Sequence, residues 1–575
     1  MEPAIAASPA RQPPSRDGPE PTATATATGM ARSQRRRMAA VNLGVLFAFG
    51  SIAGQLIHLG LKARNTHRSS MLTRLSQSWS RPDIVDRKGR LLATDVYERS
   101  LFANPSIILD VDEVVEQLTG LFPDMNEAGL RARLSDRRRH FVWLRRALNP
   151  RVAQQVHDLG LPGLGFRREL HRIYPAGAIA GHILGRVDPD NKGIAGIERY
   201  IDEHVGILPA QGAQKKLLAP LVLSLDLGVQ HDLHAVLSDA LKRYRAKAAS
   251  GVVLDVKTGE IVAAVSLPDV DPARPAQAID PKRRDRLAGG TYELGSVFKA
   301  FTIAMALDSG AATLGKTYDV TRPLLLGRKL LTEHHAPNRP ISVREVFIYS
   351  SNVGAAMMGQ EAGPQRQRAF LARMGLLSPM RTEAGPVAKP SLPRRWSKVA
   401  TATISYGHGL AVSPLQFATA AAALVNGGIR IKASFLPTIP KDKAGGPMGD
   451  AAPSSRVLSA ATSASLRQIM RLNVTSRHGT GRRAASPGYR VGGKTGTAEI
   501  ASKNGYAKKS VVSSFLAAFP MDAPRYLTLV SIFQPKGTTG QPGRITASVN
   551  AAPATARLVR RIAPLLAVYP RPAIR

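Results

Sequence analysis

The chain of 575 residues carries 79 Lys and Arg against 41 Asp and Glu, a formal net charge of +38, and it has no cysteine. Disulfides and cysteine-held metals are therefore excluded, and an apolar content of 44% argues for globular cores with only local disorder. The basic excess suits either an anionic surface such as lipid headgroups or a solvated arginine-rich exterior, while the absence of an aromatic-interleaved basic motif disfavours nucleic-acid binding.

In chain order, residues 1–37 are rich in Ala, Pro, Thr and Ser and end in Arg35, Arg36 and Arg37, which predicts a disordered basic tail. From Met38 to Leu61 no residue is ionised at neutral pH. That run exceeds the roughly 20 residues needed to cross a bilayer, and the arginines before it predict a cytoplasmic N-terminus. It is long for a signal peptide and lacks a small-x-small cleavage site, so it reads as an uncleaved anchor. Next, Ile84 to Ala93 predicts strand, tight turn at Lys88-Gly89, strand. Helical patterns follow through 107–160, as in Asp112–Leu118 and Val152–Leu159. Glu198, in Gly193-Ile-Ala-Gly-Ile-Glu, is expected to be buried and salt-bridged to an arginine of 167–172. A compositional break near 207–220 precedes a helix running to about Arg245 and a hairpin over 250–267. The Lys257-Thr258-Gly259 within that hairpin reads as its turn. An Ala-rich helix is expected over 415–425. Stretches 489–500, 510–519 and 526–533 predict a closing sheet. Early and late strands around a helical middle make this an α+β chain with an antiparallel sheet covered by helices.

The chemistry concentrates in three places. Ser296 and Lys299 stand at i and i+3 at the mouth of an apolar helix, with Gly295 allowing a sharp entry. A lysine desolvated there has a lowered pKa and can take the serine proton. Ser350-Ser351-Asn352 adds a second hydroxyl and an amide that both donates and accepts. Lys494-Thr495-Gly496-Thr497 reads as a strand whose glycine admits a ligand backbone, with a cation and hydroxyls suited to a carboxylate. Ser296 is expected to lie on a helix beside the Lys494 strand, across a cleft. His334, His335 and His408 form no metal-ligand pattern with carboxylates and read as surface or structural.

Ser-x-x-Lys, Ser-x-Asn and Lys-Thr-Gly in this order, with the anchor, the Ile84–Ala93 motif, Gly193–Glu198 and Ser405-Tyr-Gly-His-Gly, resemble the class B penicillin-binding proteins over about residues 35–540. Within that class the chain resembles the septal peptidoglycan D,D-transpeptidases of Gram-negative cell division, and Tyr292–Lys299 resembles their alphaproteobacterial branch. Most relatives have proline where Leu294 stands. The resemblance implies a basic tail at 1–37, a transmembrane helix at 38–62, an elongated α+β pedestal at 63–215, a transpeptidase domain at 216–545 and a C-terminal tail at 546–575. It implies that Ser296 attacks the penultimate D-alanine of a D-Ala-D-Ala stem peptide, with Lys299 as base and Ser350 as proton relay. Asn352 would bind the substrate amide, and Lys494, Thr495, Gly496 and Thr497 its carboxylate or that of a β-lactam. Backbone N–H groups of Ser296 and Thr497 would form the oxyanion hole. No cofactor is implied. The implied setting is the inner membrane with the catalytic domain periplasmic, beside a multi-span lipid II polymerase and other division proteins. An elongation-type transpeptidase, a β-lactam-hydrolysing relative and a non-catalytic division scaffold are the alternatives.

Overall fold

The computed structural model describes residues 40, 43–58, 79–209, 218–333, 336–438, 455–502 and 505–571. The chain divides into two units, Met1–Gln77 and Ser78–Arg575. In the first, residues 43–58 are helical and leave Leu46, Phe47, Phe49, Leu56 and Ile57 exposed. No helix among the described residues is long and apolar enough to cross a membrane. The expected anchor is described only in part, since residues 38–39, 41–42 and 59–61 lie outside the described set, as does the tail at 1–37.

The second unit opens with the expected turn. The short strand Ile84–Val85 pairs antiparallel with β1 (Leu91–Ala103), Ile84 facing Ala93, and Gly89 takes φ +78° between them. Asp86 fixes this turn by accepting from the Lys88, Arg90 and Leu227 N–H groups. β1 also pairs antiparallel with β2 (Val142–Leu148) and β3 (Leu164–Ile173). Helices α1 (Val111–Leu121), α2 (Glu127–Ser135) and α3 (Pro150–Asp158) bury Val114, Leu118, Leu130, Leu134 and Val156 with Leu101 and Ala103 of β1. Asp110 caps α1 and Asn126 caps α2. The expectation of helix through 107–160 therefore missed β2. Its Arg145 and Arg146 look like a polar helical stripe but lie over the Phe122 and Trp143 rings, which suits a half-exposed strand. Glu198 is fully buried, as expected, and receives Arg172 Nε at 2.7 Å; Arg81 Nε joins it at 2.8 Å.

A five-stranded antiparallel sheet follows, built from β4 (Ala248–Asp255), β5 (Ile261–Leu267), β6 (Gly492–Ser502), β7 (Gly505–Phe519) and β8 (Tyr526–Phe533) in the order β5-β4-β8-β7-β6. The helices framing it are α4 (Leu227–Tyr244), α5 (Lys299–Asp308), α6 (Val343–Tyr349), α7 (Asn352–Ala362), α8 (Pro414–Val425), α9 (Ala460–Thr475) and α10 (Ala551–Leu565). Alternation along the strands sorts side chains between two cores. Val253, Phe515, Ala517 and Val530 pack with Leu233 and Leu237 of α4 and Leu558 and Ile562 of α10. Val252, Leu254, Leu516 and Leu529 pack with Phe301 of α5 and Phe417 of α8. Both sheet faces are thus covered, which is why these strands read as continuous apolar runs. Lys257-Thr258-Gly259 is the β4–β5 turn, with Gly259 at φ +83°.

The stretch set apart as a C-terminal tail needs correction. Residues 551–565 form α10, and its Ala551, Ala552, Leu558, Val559 and Ile562 are buried against the sheet. Two prolines and a run of arginines conceal the apolar stripe in the sequence, but the arginines fall on the opposite face.

Candidate active site

Ser296 sits on a 3-10 turn, Gly295–Phe298, that runs straight into α5. Three residues per turn eclipse i and i+3. Lys299 Nζ accordingly lies 3.0 Å from Ser296 Oγ. Close backbone approach holds this turn. Gly295 has φ +61°, and a Cβ there would come 2.5 Å from the Thr497 carbonyl oxygen on β6. Gly407, of Ser405-Tyr-Gly-His-Gly, abuts it from the other side, where a Cβ would come 2.0 Å from the Gly295 carbonyl. Glu293 locks that contact by accepting from Gly409 N–H at 2.7 Å, with His408 Nδ1 at 3.1 Å. This gives His408 a structural place.

Behind the turn, the rings of Phe298, Phe301 and Phe417 pack at centroid distances of 5.2 to 5.7 Å, and Lys299 is fully buried. Burial pulls the Lys299 ammonium down from the usual lysine range to about 7, opposed by the Glu333 carboxylate. Its Nζ donates to the Ser350 carbonyl at 2.5 Å and to Asn352 Oδ1 at 2.7 Å, and lies 3.2 Å from Ser350 Oγ. Lys494, also fully buried, donates to Ser350 Oγ at 2.9 Å and lies over the Phe347 ring. Its pKa falls well below the ordinary value through burial and the neighbouring Lys299. Ser350 occupies the left-handed region at φ 62°, between α6 and α7. That conformation costs a non-glycine residue about 1–2 kcal/mol. It is held here by the two lysines that converge on the residue.

Two family models match this chain: the penicillin-binding protein transpeptidase domain over residues 249–553 and the penicillin-binding protein dimerisation domain over residues 77–205. The chain belongs to the penicillin-binding protein family of peptidoglycan D,D-transpeptidases. It is 38% identical to the probable peptidoglycan D,D-transpeptidase FtsI of Caulobacter vibrioides over 85% of this chain and 82% of that protein. Identity to the probable peptidoglycan D,D-transpeptidase PenA of Neisseria gonorrhoeae is 33%, over 79% of this chain and 80% of that one. In fold it is similar to penicillin-binding protein 3 of Mycobacterium tuberculosis, solved with aztreonam, with a TM-score of 0.65 at 24% identity, over 86% of this chain and 98% of that one.

In this penicillin-binding protein the residues singled out from sequence come together. Ser296, Ser350, Asn352, Thr495, Gly496 and Thr497 line one cleft of about 530 Å³, and Lys299 and Lys494 are buried behind it. Thr497 Oγ1 accepts from Ala547 N–H at 3.1 Å, leaving its proton for a ligand oxygen. Thr495 Oγ1 donates to Thr480 Oγ1 at 2.8 Å, which fastens the loop after α9 to β6, and Asn473 Nδ2 of α9 itself donates to the Gly493 carbonyl. Sequence reasoning missed that loop. Arg477, His478, Thr480, Arg482 and Arg483 line the cleft as well. The only signal was the glycine-punctuated run Ser476-Arg-His-Gly-Thr-Gly-Arg-Arg483, which spells a turn and no chemistry. Glu333 was missed too: its Oε2 accepts from buried Ser351 Oγ at 2.5 Å, and Ser351 caps α7. His334 and His335 lie outside the described residues.

Proposed function

We propose that this penicillin-binding protein crosslinks peptidoglycan stem peptides in septal wall synthesis through an acyl-enzyme on Ser296. Neutral Lys299 takes the Ser296 proton as Oγ attacks the penultimate D-alanine carbonyl. Ser350 relays a proton to the departing terminal D-alanine. Asn352 holds the substrate amide, while Lys494, Thr495, Gly496 and Thr497 form the carboxylate anchor, a place that a β-lactam carboxylate takes equally. Backbone N–H groups of Ser296 and Thr497 stabilise the tetrahedral oxyanion. An amine of a second strand then releases the acyl group as a crosslink.

The observation carrying this reading is the contact chain Ser296 Oγ–Lys299 Nζ–Ser350 Oγ–Lys494 Nζ, with steps of 3.0, 3.2 and 2.9 Å. The proposed arrangement places the basic tail at 1–37 in the cytoplasm and a single span at 38–62 in the inner membrane. The pedestal at 63–215 and the transpeptidase domain from 216 are then periplasmic, beside a multi-span lipid II polymerase and other division proteins. The run Met38–Leu61, free of residues ionised at neutral pH although Asn42, Gln55 and His58 interrupt its apolar character, supports the span.

Labelling the full chain and its Ser296→Ala variant with a fluorescent penicillin tests the nucleophile. Stoichiometric label on the parent, mapped to the Ser296 peptide, and none on the variant is expected. Equal labelling of both would sink the assignment, and rapid turnover of the label would point to a hydrolase.

A further inference from the structure

The substrate cleft has an arginine wall that the transpeptidase reading leaves unused. Arg477, Arg482 and Arg483 line it beside Thr495 and Thr497, and none of its lining residues is acidic. Among the described residues no carboxylate meets any of these three guanidinium groups, whereas Arg490 and Arg571 pair with Asp522 and Arg557 pairs with Asp239. All three are exposed. Arg482 and Arg483 lie on the 3-10 turn Arg482–Ala484, just after Thr480. The Thr480–Thr495 hydroxyl contact ties the residue just ahead of that turn to the strand carrying the carboxylate anchor, and Thr480 Oγ1 also meets Asn473 Oδ1 of α9 at 3.2 Å. Arg477 Nε donates to His478 Nε2 at 2.9 Å, and the His478 ring packs on Tyr349, the last residue of α6. Arg483 extends the positive field into a neighbouring cavity of about 440 Å³ that also holds Arg243 and Arg544.

Guanidinium groups without a carboxylate partner, converging on one cleft, have the charge and fork geometry that suit a carboxylate. Their side of the cleft decides which ligand. Thr495 belongs to the anchor proposed for the leaving D-alanine, so the leaving amine departs along this wall. By microscopic reversibility the attacking amine arrives by the same route. Resting on the transpeptidase reading, we propose that Arg477, Arg482 and Arg483 select the acyl acceptor by binding carboxylates of its peptide other than at the reacting amine. The step they serve is aminolysis: the acceptor C–N bond forms, the C–Oγ bond to Ser296 breaks, and an amine proton ends on Ser296 Oγ.

The test uses the full chain with a small thioester donor and two acceptor peptides of one sequence, their non-reacting carboxylates free in one and amidated in the other. The parent should use the free-carboxylate acceptor about tenfold better, and in the triple variant Arg477→Gln, Arg482→Gln, Arg483→Gln the two rates should agree within about twofold. A melting temperature close to the parent's shows that the variant has folded. Should it not fold, the parent's preference must itself shrink as salt is raised from about 50 to about 500 mM. A preference unchanged in the folded variant, indifferent to salt, or absent in the parent overturns the inference. Failure of fluorescent penicillin to label Ser296 in the parent would instead overturn the transpeptidase reading beneath it.

Discussion

Among the described residues two clusters of cationic side chains are buried, and they are built on opposite principles. In the pedestal, Arg81 and Arg172 lie among Glu198, Asp95 and Asp202, and every guanidinium faces a carboxylate within 3.1 Å. In the transpeptidase cleft, Lys299 and Lys494 are just as buried, but hydroxyls, a carbonyl and an amide surround them and no carboxylate touches either among the described residues. Paired charge inside protein stays charged and holds elements in register. Burial without a paired carboxylate weakens a lysine's hold on its proton, and an amine that becomes neutral against a serine hydroxyl can act as a base. The surroundings, more than the cations, divide structure from chemistry.

The largest effect should come from breaking the unpaired cluster. Lys299→Met keeps the stem volume and removes the proposed base, so penicillin acylation of Ser296 should slow by about a thousandfold or more, while the melting temperature moves by only a few degrees. Stopped-flow acylation beside a thermal melt checks both halves. A variant that acylates within tenfold of the parent would remove Lys299 from the proton path.

Arg172→Met should invert that pattern. It leaves Asp95 without a guanidinium and Glu198 with Arg81 alone in a dry interior, and also empties the bond to the Pro82 carbonyl, at a cost of about 3–5 kcal/mol of stability. The acylation rate of the protein that remains folded should match the parent's. Urea denaturation followed by tryptophan fluorescence, to which Trp79 and Trp143 contribute from the pedestal, paired with acylation kinetics, separates the two. A variant as stable as the parent would mean that the network is neutral to stability, and a slowed acylation would mean that the pedestal reaches into the chemistry.

Both clusters were partly legible in the sequence, for different reasons. Ser296/Lys299, Ser350/Asn352 and Lys494–Thr497 are local patterns, each set by a few adjacent residues, so their chemistry could be read before their meeting was seen. Glu198 was legible as a buried acid because glycines crowd it, but its partner Arg81 lies 117 positions away and nothing local announces it. Strands fared alike. The β4–β5 hairpin and β6–β8 are β-branched runs bounded by turn residues, whereas β2 and β3 carry arginines stacked on aromatic rings and pass for helix or loop. The loop at 476–483 gains its place through contacts far apart in sequence, Thr480 with Thr495 and His478 with Tyr349, which exist solely in the fold.

The finest distinction between the clusters is that the catalytic one is not wholly free of negative charge. Glu333 reaches Ser351, the residue between Ser350 and Asn352, and its field works against the burial that depresses Lys299. In the proposed mechanism only neutral Lys299 accepts the Ser296 proton, so acylation should rise with pH through about 7 and level off above it. Glu333→Gln keeps an amide oxygen to accept from Ser351 but deletes the charge. With the opposing influence gone, the lysine pKa falls further and the rise should move to lower pH by a fraction of a unit, leaving the plateau rate little changed. Penicillin acylation rates measured from about pH 5 to 9 on both proteins decide it. A midpoint that stays put or moves upward would mean that Glu333 serves Ser351 and the start of α7 alone, and that the catalytic lysine is tuned by burial without any help from charge.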